Sequence, residues 1–213
     1  MTKTRLEAFS DGVIAILITI MVLELRAPAG SDLTALAGAL PEFAMYLLSF
    51  AFLGIYWNNH HHMLHATTAV NGAVLWANLH LLFWLSLVPF ATRWMGESGL
   101  APLPTAIYGC VLLLSAIAFS ILVRAILACQ PRDSVLAGAI GDDLKGRLSL
   151  GLYTAAIPLT FLNRWIAVAL YALVALMWLV PDRRIEARLR AAPPHPAAGE
   201  LQSRPRCQLR RKR

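Results

Sequence analysis

The chain has 213 residues, 58% hydrophobic and 15% charged, with mean hydropathy +0.59; this is too apolar for a soluble domain of that length and points to a polytopic membrane protein. Its formal charge of +7 is concentrated at one end, because residues 182–213 hold ten Lys/Arg against three Asp/Glu while residues 1–181 hold nine of each. Cys110, Cys129 and Cys207 form no CxxC pair, so neither a disulfide framework nor a thiolate zinc site organises the chain.

A bilayer crossing needs about 20 apolar residues at a rise of 1.5 Å each, and on that measure six segments follow one another. The first, residues 5–25, reads RLEAFSDGVIAILITIMVLEL, with a polar knot of Arg5, Ser10 and Asp11 at the start of an apolar run. Lys3 and Arg5 ahead of that run, with Ala27-Pro28-Ala29 behind it, resemble a signal peptide. Glu7 and Asp11 are out of place in one and more spans follow, so the segment is expected to stay as a membrane helix.

Pro28, Gly30 and Ser31 break the chain before the second segment, residues 41–65, whose last third is polar. The third covers residues 73–95 and ends in a loop with Gly96, Gly99, Pro102 and Pro104. The fourth covers residues 106–129. A polar connector, residues 130–147, with Arg132, Asp133, Asp142, Asp143, Lys145 and Arg147, reads as an exposed loop or short helix. The fifth segment, residues 148–162, turns at Asn163 and Arg164 into the sixth, residues 165–180, which Pro181 and Asp182 stop.

The fold class is therefore all-α: a six-helix transmembrane domain over residues 1–181 and a basic tail over residues 182–213, too polar and Pro-broken to form a core. The tail is expected to be solvated beside anionic lipid headgroups, with no nucleic-acid partner. With the N-terminus inside, Lys3, Arg5, Arg124, Arg132, Lys145, Arg147 and the tail share one side of the membrane, against Arg26, Arg93 and Arg164 on the other. Both termini are thus expected in the cytoplasm, with the chain in the plasma membrane. Loops this short leave little room for a soluble catalytic domain.

A carboxylate set into an apolar span is costly in lipid and marks Asp11 as a functional-site candidate. On a helical wheel with Gly12 at zero, Ile16 falls at about 40°, Thr19 at about −20° and Leu23 at about 20°, one narrow stripe. Ser10 and Asp11 lie on other faces. The stripe could face lipid while Asp11 turns to partner helices, and that arrangement would need no further function.

The second cluster is Trp57-x-x-His60-His61-His62-x-x-His65, at the depth of Asp11. An imidazole beside Asp11 would lower the cost of burying either group. His61 and His65 share a face at i, i+4 and are weak metal candidates, with no further ligand near in sequence. Trp76, Asn78, His80 and Trp84 place polar atoms where hydrogen bonds between helices are the expected use. No phosphate loop, nucleophile elbow or carbonyl filter is present, and no enzyme activity or cofactor is expected.

Arg5-x-x-x-Phe9-Ser10-Asp11-Gly12 resembles the RxxxFSD signature of the transmembrane-protein-175 potassium channels, in their bacterial single-repeat form. Tyr46-x-x-Ser49-Phe50, Trp57-x-x-His60-His61, Leu75-Trp76-x-Asn78 and Pro89-Phe90 resemble that family in order and spacing. The resemblance implies a homotetramer of six-helix subunits, with the first helices around a potassium-permeable pore that lacks a carbonyl filter. It also implies that Phe9, Ser10 and Asp11, with Arg5, join a network with Trp57, His60, His61 and Asn78. Ile16, Thr19 and Leu23, with Ile20 adjacent, would then line the constriction. Ile16 and Leu23 would form dry gating rings and Thr19 a hydroxyl ring, with modest preference for potassium over sodium. The competing classes are a secondary cation transporter, which would more naturally show repeats or helices broken at mid-membrane, and a membrane-embedded metal enzyme built on the histidines.

Overall fold

The computed structural model describes residues 2–28, 30–67, 69–130 and 143–179. The expected basic tail, the domain boundary near residue 181 and most of the connector, with Arg132, Asp133 and Asp142, lie outside the described residues.

Seven helices occur among the described residues: α1 (Lys3–Leu23), α2 (Leu33–His65), α3 (Gly72–Ser86), α4 (Val88–Glu97), α5 (Pro102–Cys129), α6 (Leu144–Leu159) and α7 (Arg164–Leu179). Among the described residues four stretches are long and apolar enough to cross a membrane: Lys3–Leu23, Leu33–His65, Gly72–Glu97 and Pro102–Cys129. Helices α6 and α7 have 16 residues each, roughly 24 Å at 1.5 Å per residue, somewhat short of a hydrocarbon core of about 30 Å.

The element ends differ from the sequence expectation for identifiable reasons. The second helix starts at Leu33 rather than residue 41, because Asp32 accepts a hydrogen bond from Ala35 N at 3.0 Å and caps it. Pro41 sits inside that helix; it removes one donor, and the helix runs through it. The third segment is split in two at Leu87, just before Pro89, which occupies the first turn of α4 where no N–H is required. The fifth begins at Leu144, inside the expected connector, because Asp143 accepts from Gly146 N at 2.8 Å.

Helix α1 packs on α2 and α3, α5 packs on α3, α4, α6 and α7, and α7 also meets α2. The core between them is largely leucine: Leu53, Leu64, Leu81, Leu85, Leu112 and Leu122 are fully buried. Gly109 in α5 admits the Tyr171 ring of α7, whose Cζ would lie 2.8 Å from a Cβ placed there. Tyr171 OH donates to the Thr105 carbonyl at 3.3 Å, which fixes α7 against α5.

Candidate functional site

Helix α1 separates two faces. Leu6, Ser10, Ile14, Leu17 and Met21 recur at three- and four-residue spacing and are buried against α2 and α3. The opposite stripe is left uncovered by the other described helices of the chain: Gly12 and Thr19 are exposed, Ile16 is 58% exposed, Leu23 81% and Ile20 39%. Thr19 Oγ1 donates to the Ile16 carbonyl at 2.8 Å. That bond uses the only hydroxyl proton, so the oxygen lone pairs remain available for a positive charge.

The buried face is tied down by a chain of side-chain hydrogen bonds across three helices. Asn78 Nδ2 of α3 donates to Ser10 Oγ of α1 at 2.9 Å, and Asn78 Oδ1 lies 2.7 Å from His60 Nε2 of α2. An amide oxygen only accepts, so His60 must hold its proton on Nε2. Ser10 and Asn78 are fully buried and His60 is 1% exposed. His60 Nδ1 ends the chain with no partner among the described residues.

Asp11 is not part of that chain, and no imidazole among the described residues meets it. Trp57 Nε1 donates to Asp11 Oδ1 at 3.0 Å, because the indole, one helical turn before His61, reaches the carboxylate first. His61 instead stacks between Trp57 and His65, with ring centroids 5.9 and 6.2 Å away, on an exposed face of α2. Among the described residues no group of three or more His, Cys, Asp or Glu side chains could hold a metal ion. Phe9 is 47% exposed, and Arg5 is exposed with no partner among the described residues. Lys3 Nζ, two residues earlier, donates to the His65 carbonyl at 2.6 Å and joins the ends of α1 and α2.

Of the polar residues expected to bond between α3 and its neighbours, Asn78 alone does so. Trp84 Nε1 donates to His80 Nε2 at 2.9 Å within the same helix, one turn apart, and Trp76 is 76% exposed. A second buried network went unread in the sequence. Thr92 Oγ1 lies 2.7 Å from both the Val88 carbonyl and Ser49 Oγ, which in turn lies 2.9 Å from Tyr108 OH. The carbonyl can only accept, so the protons run from Tyr108 to Ser49 to Thr92 to Val88, joining α5, α2 and α4.

At the far end of α1 a charged cluster replaces the buried bonds. Glu24 pairs with Arg93 of α4, Arg93 Nε donates to Glu97 Oε1 at 2.9 Å, and Arg26 Nη2 lies 2.7 Å from the same Glu97 oxygen. The i, i+4 spacing of Arg93 and Glu97 was visible in the sequence. The pairing with Glu24, 69 residues away, was not.

A family model described as "Endosomal/lysosomal potassium channel TMEM175" matches residues 5–89, the stretch that holds α1 from Arg5 onward and every member of the Ser10, Asp11, Trp57, His60 and Asn78 arrangement. A protein of Chryseobacterium sp. (strain P1-3), named as a potassium channel, is 53% identical over 190 residues, 89% of this chain and 99% of the relative. The chain belongs to the TMEM175 family. The crystal structure of a lysosomal potassium-selective TMEM175 homologue from Chamaesiphon minutus superposes with a TM-score of 0.73 at 30% identity, covering 84% of this chain and 96% of that one. Human TMEM175, named as an endosomal/lysosomal proton channel, is 36% identical over 96 residues, 39% of this chain and 19% of the human protein. TMEM175 is an ion-channel family, so the chain is a membrane protein of that kind and not an enzyme.

Proposed function

We propose that the chain is the subunit of a homotetrameric, potassium-permeable channel of the plasma membrane, with four copies of α1 around the pore. The observation that carries this reading is the uncovered Gly12, Ile16, Thr19 and Leu23 stripe on a membrane-spanning helix whose opposite face is locked by buried hydrogen bonds. The bacterial relatives named as potassium channels support potassium as the permeant ion. Fourfold symmetry turns each residue on the stripe into a ring.

Rings of Ile16 and Leu23 close the path by excluding water, and the Thr19 ring between them offers oxygen lone pairs that replace part of the hydration shell of an ion. Potassium sheds its shell more readily than sodium, which gives a modest preference. Ser10, Asn78 and His60, with Asp11 held by Trp57, act as the frame that holds the stripe towards the axis; Arg5, Phe9 and His61, which make no side-chain hydrogen bond among the described residues, stand beside it. Ile20 sits beside the constriction. Both termini face the cytoplasm.

Ile16→Asn in purified, reconstituted protein tests the gate. Wetting the ring should raise basal potassium flux several-fold over sodium and proton controls, and unchanged flux removes Ile16 from the constriction.

A further inference from the structure

On the side of the bundle that holds the N-terminus, α2, α5, α6 and α7 enclose a cavity of about 50 Å³. It lies away from the α1 stripe. Two aromatic pairs form its walls: Phe52 with Tyr153, centroids 6.3 Å apart, and Tyr56 with Phe119, centroids 5.9 Å apart. Trp178 forms a further wall, its Nε1 committed to Ser149 Oγ at 2.9 Å, and the exposed Asp143 stands at the mouth.

The two phenols are the unusual feature. Tyr153 is 2% exposed and Tyr56 is half-buried, and neither hydroxyl has a hydrogen-bond partner among the described residues. Neither oxygen is fully enclosed by the described residues, so both open onto the cavity, where a bound molecule can supply the partner. Among the described residues no Lys, Arg or His lines the cavity, and aromatic faces attract positive charge through their quadrupole. Asp143 adds a carboxylate; its one side-chain bond among the described residues, from Gly146 N at 2.8 Å, leaves lone pairs over.

We propose that this cavity binds a small primary ammonium ion of the ethanolamine class. The –NH₃⁺ group has three donors, and Tyr56, Tyr153 and Asp143 supply three acceptors. The volume has room for roughly three to five waters at about 10–15 Å³ each, which matches the four heavy atoms of ethanolammonium. A quaternary ammonium would offer no donors to the phenols, and water alone would leave the aromatic walls and the carboxylate without a positive partner. The ammonium can come from a free amine or from the headgroup of phosphatidylethanolamine.

Calorimetric titration of the purified full chain with ethanolammonium chloride, against ethylene glycol as a neutral molecule of the same size, tests the charge requirement. Saturable binding of the amine alone is expected. Tyr153→Phe keeps the ring and removes the acceptor, and should weaken binding by about tenfold, the scale of one hydrogen bond to a charged group. Tyr56→Phe is the second variant, and unchanged size-exclusion elution of each variant serves as the fold control.

For the source, thermal unfolding is compared in phosphatidylglycerol vesicles with and without phosphatidylethanolamine. Stabilisation by that lipid in the wild type and not in Tyr153→Phe assigns the headgroup; binding of ethanolammonium without it assigns a free amine. The proposal is overturned if ethylene glycol binds as well as ethanolammonium, if neither amine source binds, or if both Tyr→Phe variants bind as the wild type does.

Discussion

Replacing Asn78 by Ala removes the residue that holds three helices together. Its amide makes bonds at 2.9 Å to Ser10 Oγ and 2.7 Å to His60 Nε2, and all three side chains are at most 1% exposed. Two buried groups lose their partner at once, each at about 1–3 kcal/mol, so the gross cost is roughly 2–6 kcal/mol. A membrane lowers this, because the unfolded chain in lipid also finds partners and single interhelical bonds there average about 0.6 kcal/mol.

The net expectation for Asn78→Ala is therefore a loss of about 2 kcal/mol, with Ser10→Ala, which orphans one donor, near half of that. Denaturant unfolding in mixed micelles measures both, with exposed Asn58→Ala as the reference. The double variant should cost less than the sum of the two singles, because both break the same bond. A cost for Asn78→Ala equal to that of Asn58→Ala, or strict additivity with Ser10→Ala, refutes the claim that this chain of bonds positions α1.

Trp57→Phe keeps the stack on His61 but removes the donor to Asp11; with the indole exposed, water takes its place, and the loss should stay under about 1 kcal/mol in the same unfolding assay. Gly109→Ala places a methyl group against the Tyr171 ring and should cost about 1–3 kcal/mol through overpacking, measured as a lower thermal midpoint. Arg93→Gln breaks the pairs with Glu24 and Glu97; its penalty should be visible at low salt and disappear at high salt, since these side chains are 30–39% exposed. A penalty for Arg93→Gln that persists at high salt means the cluster is held by packing rather than charge.

Much of the fold was legible because membrane helices announce themselves by length and hydropathy. The approximate spans of α1, α3 with α4, α5 and α7 follow from that alone. What the hydropathy reading missed are the places where a local device overrides composition. Residues 33–40 are helical because Asp32 caps them, although Pro41 reads as a start, and Leu144 is helical although the connector reads as polar.

At the candidate site, the helical period of α1 was enough to separate Gly12, Ile16, Thr19 and Leu23 from Ser10, since both sets lie on one element. Which residue meets which across helices was not. Asp11 and the histidines share a depth, but whether an indole or an imidazole reaches the carboxylate depends on the rotation of α2 about its own axis. That rotation is set by all the contacts of Phe52, Leu53, Met63 and Leu64 at once. The same holds for Glu24 with Arg93 and for Ser49 with Thr92 and Tyr108.

The sequence by itself determined that this is an all-helical membrane protein with an apolar stripe and a polar knot on its first helix, because periodicity and hydropathy are local properties. The tertiary structure decided that Ser10 answers to Asn78 and His60 while Asp11 answers to Trp57, and that the stripe is the face left bare. Hydrogen bonds between helices need ångström registry, and only packing supplies it.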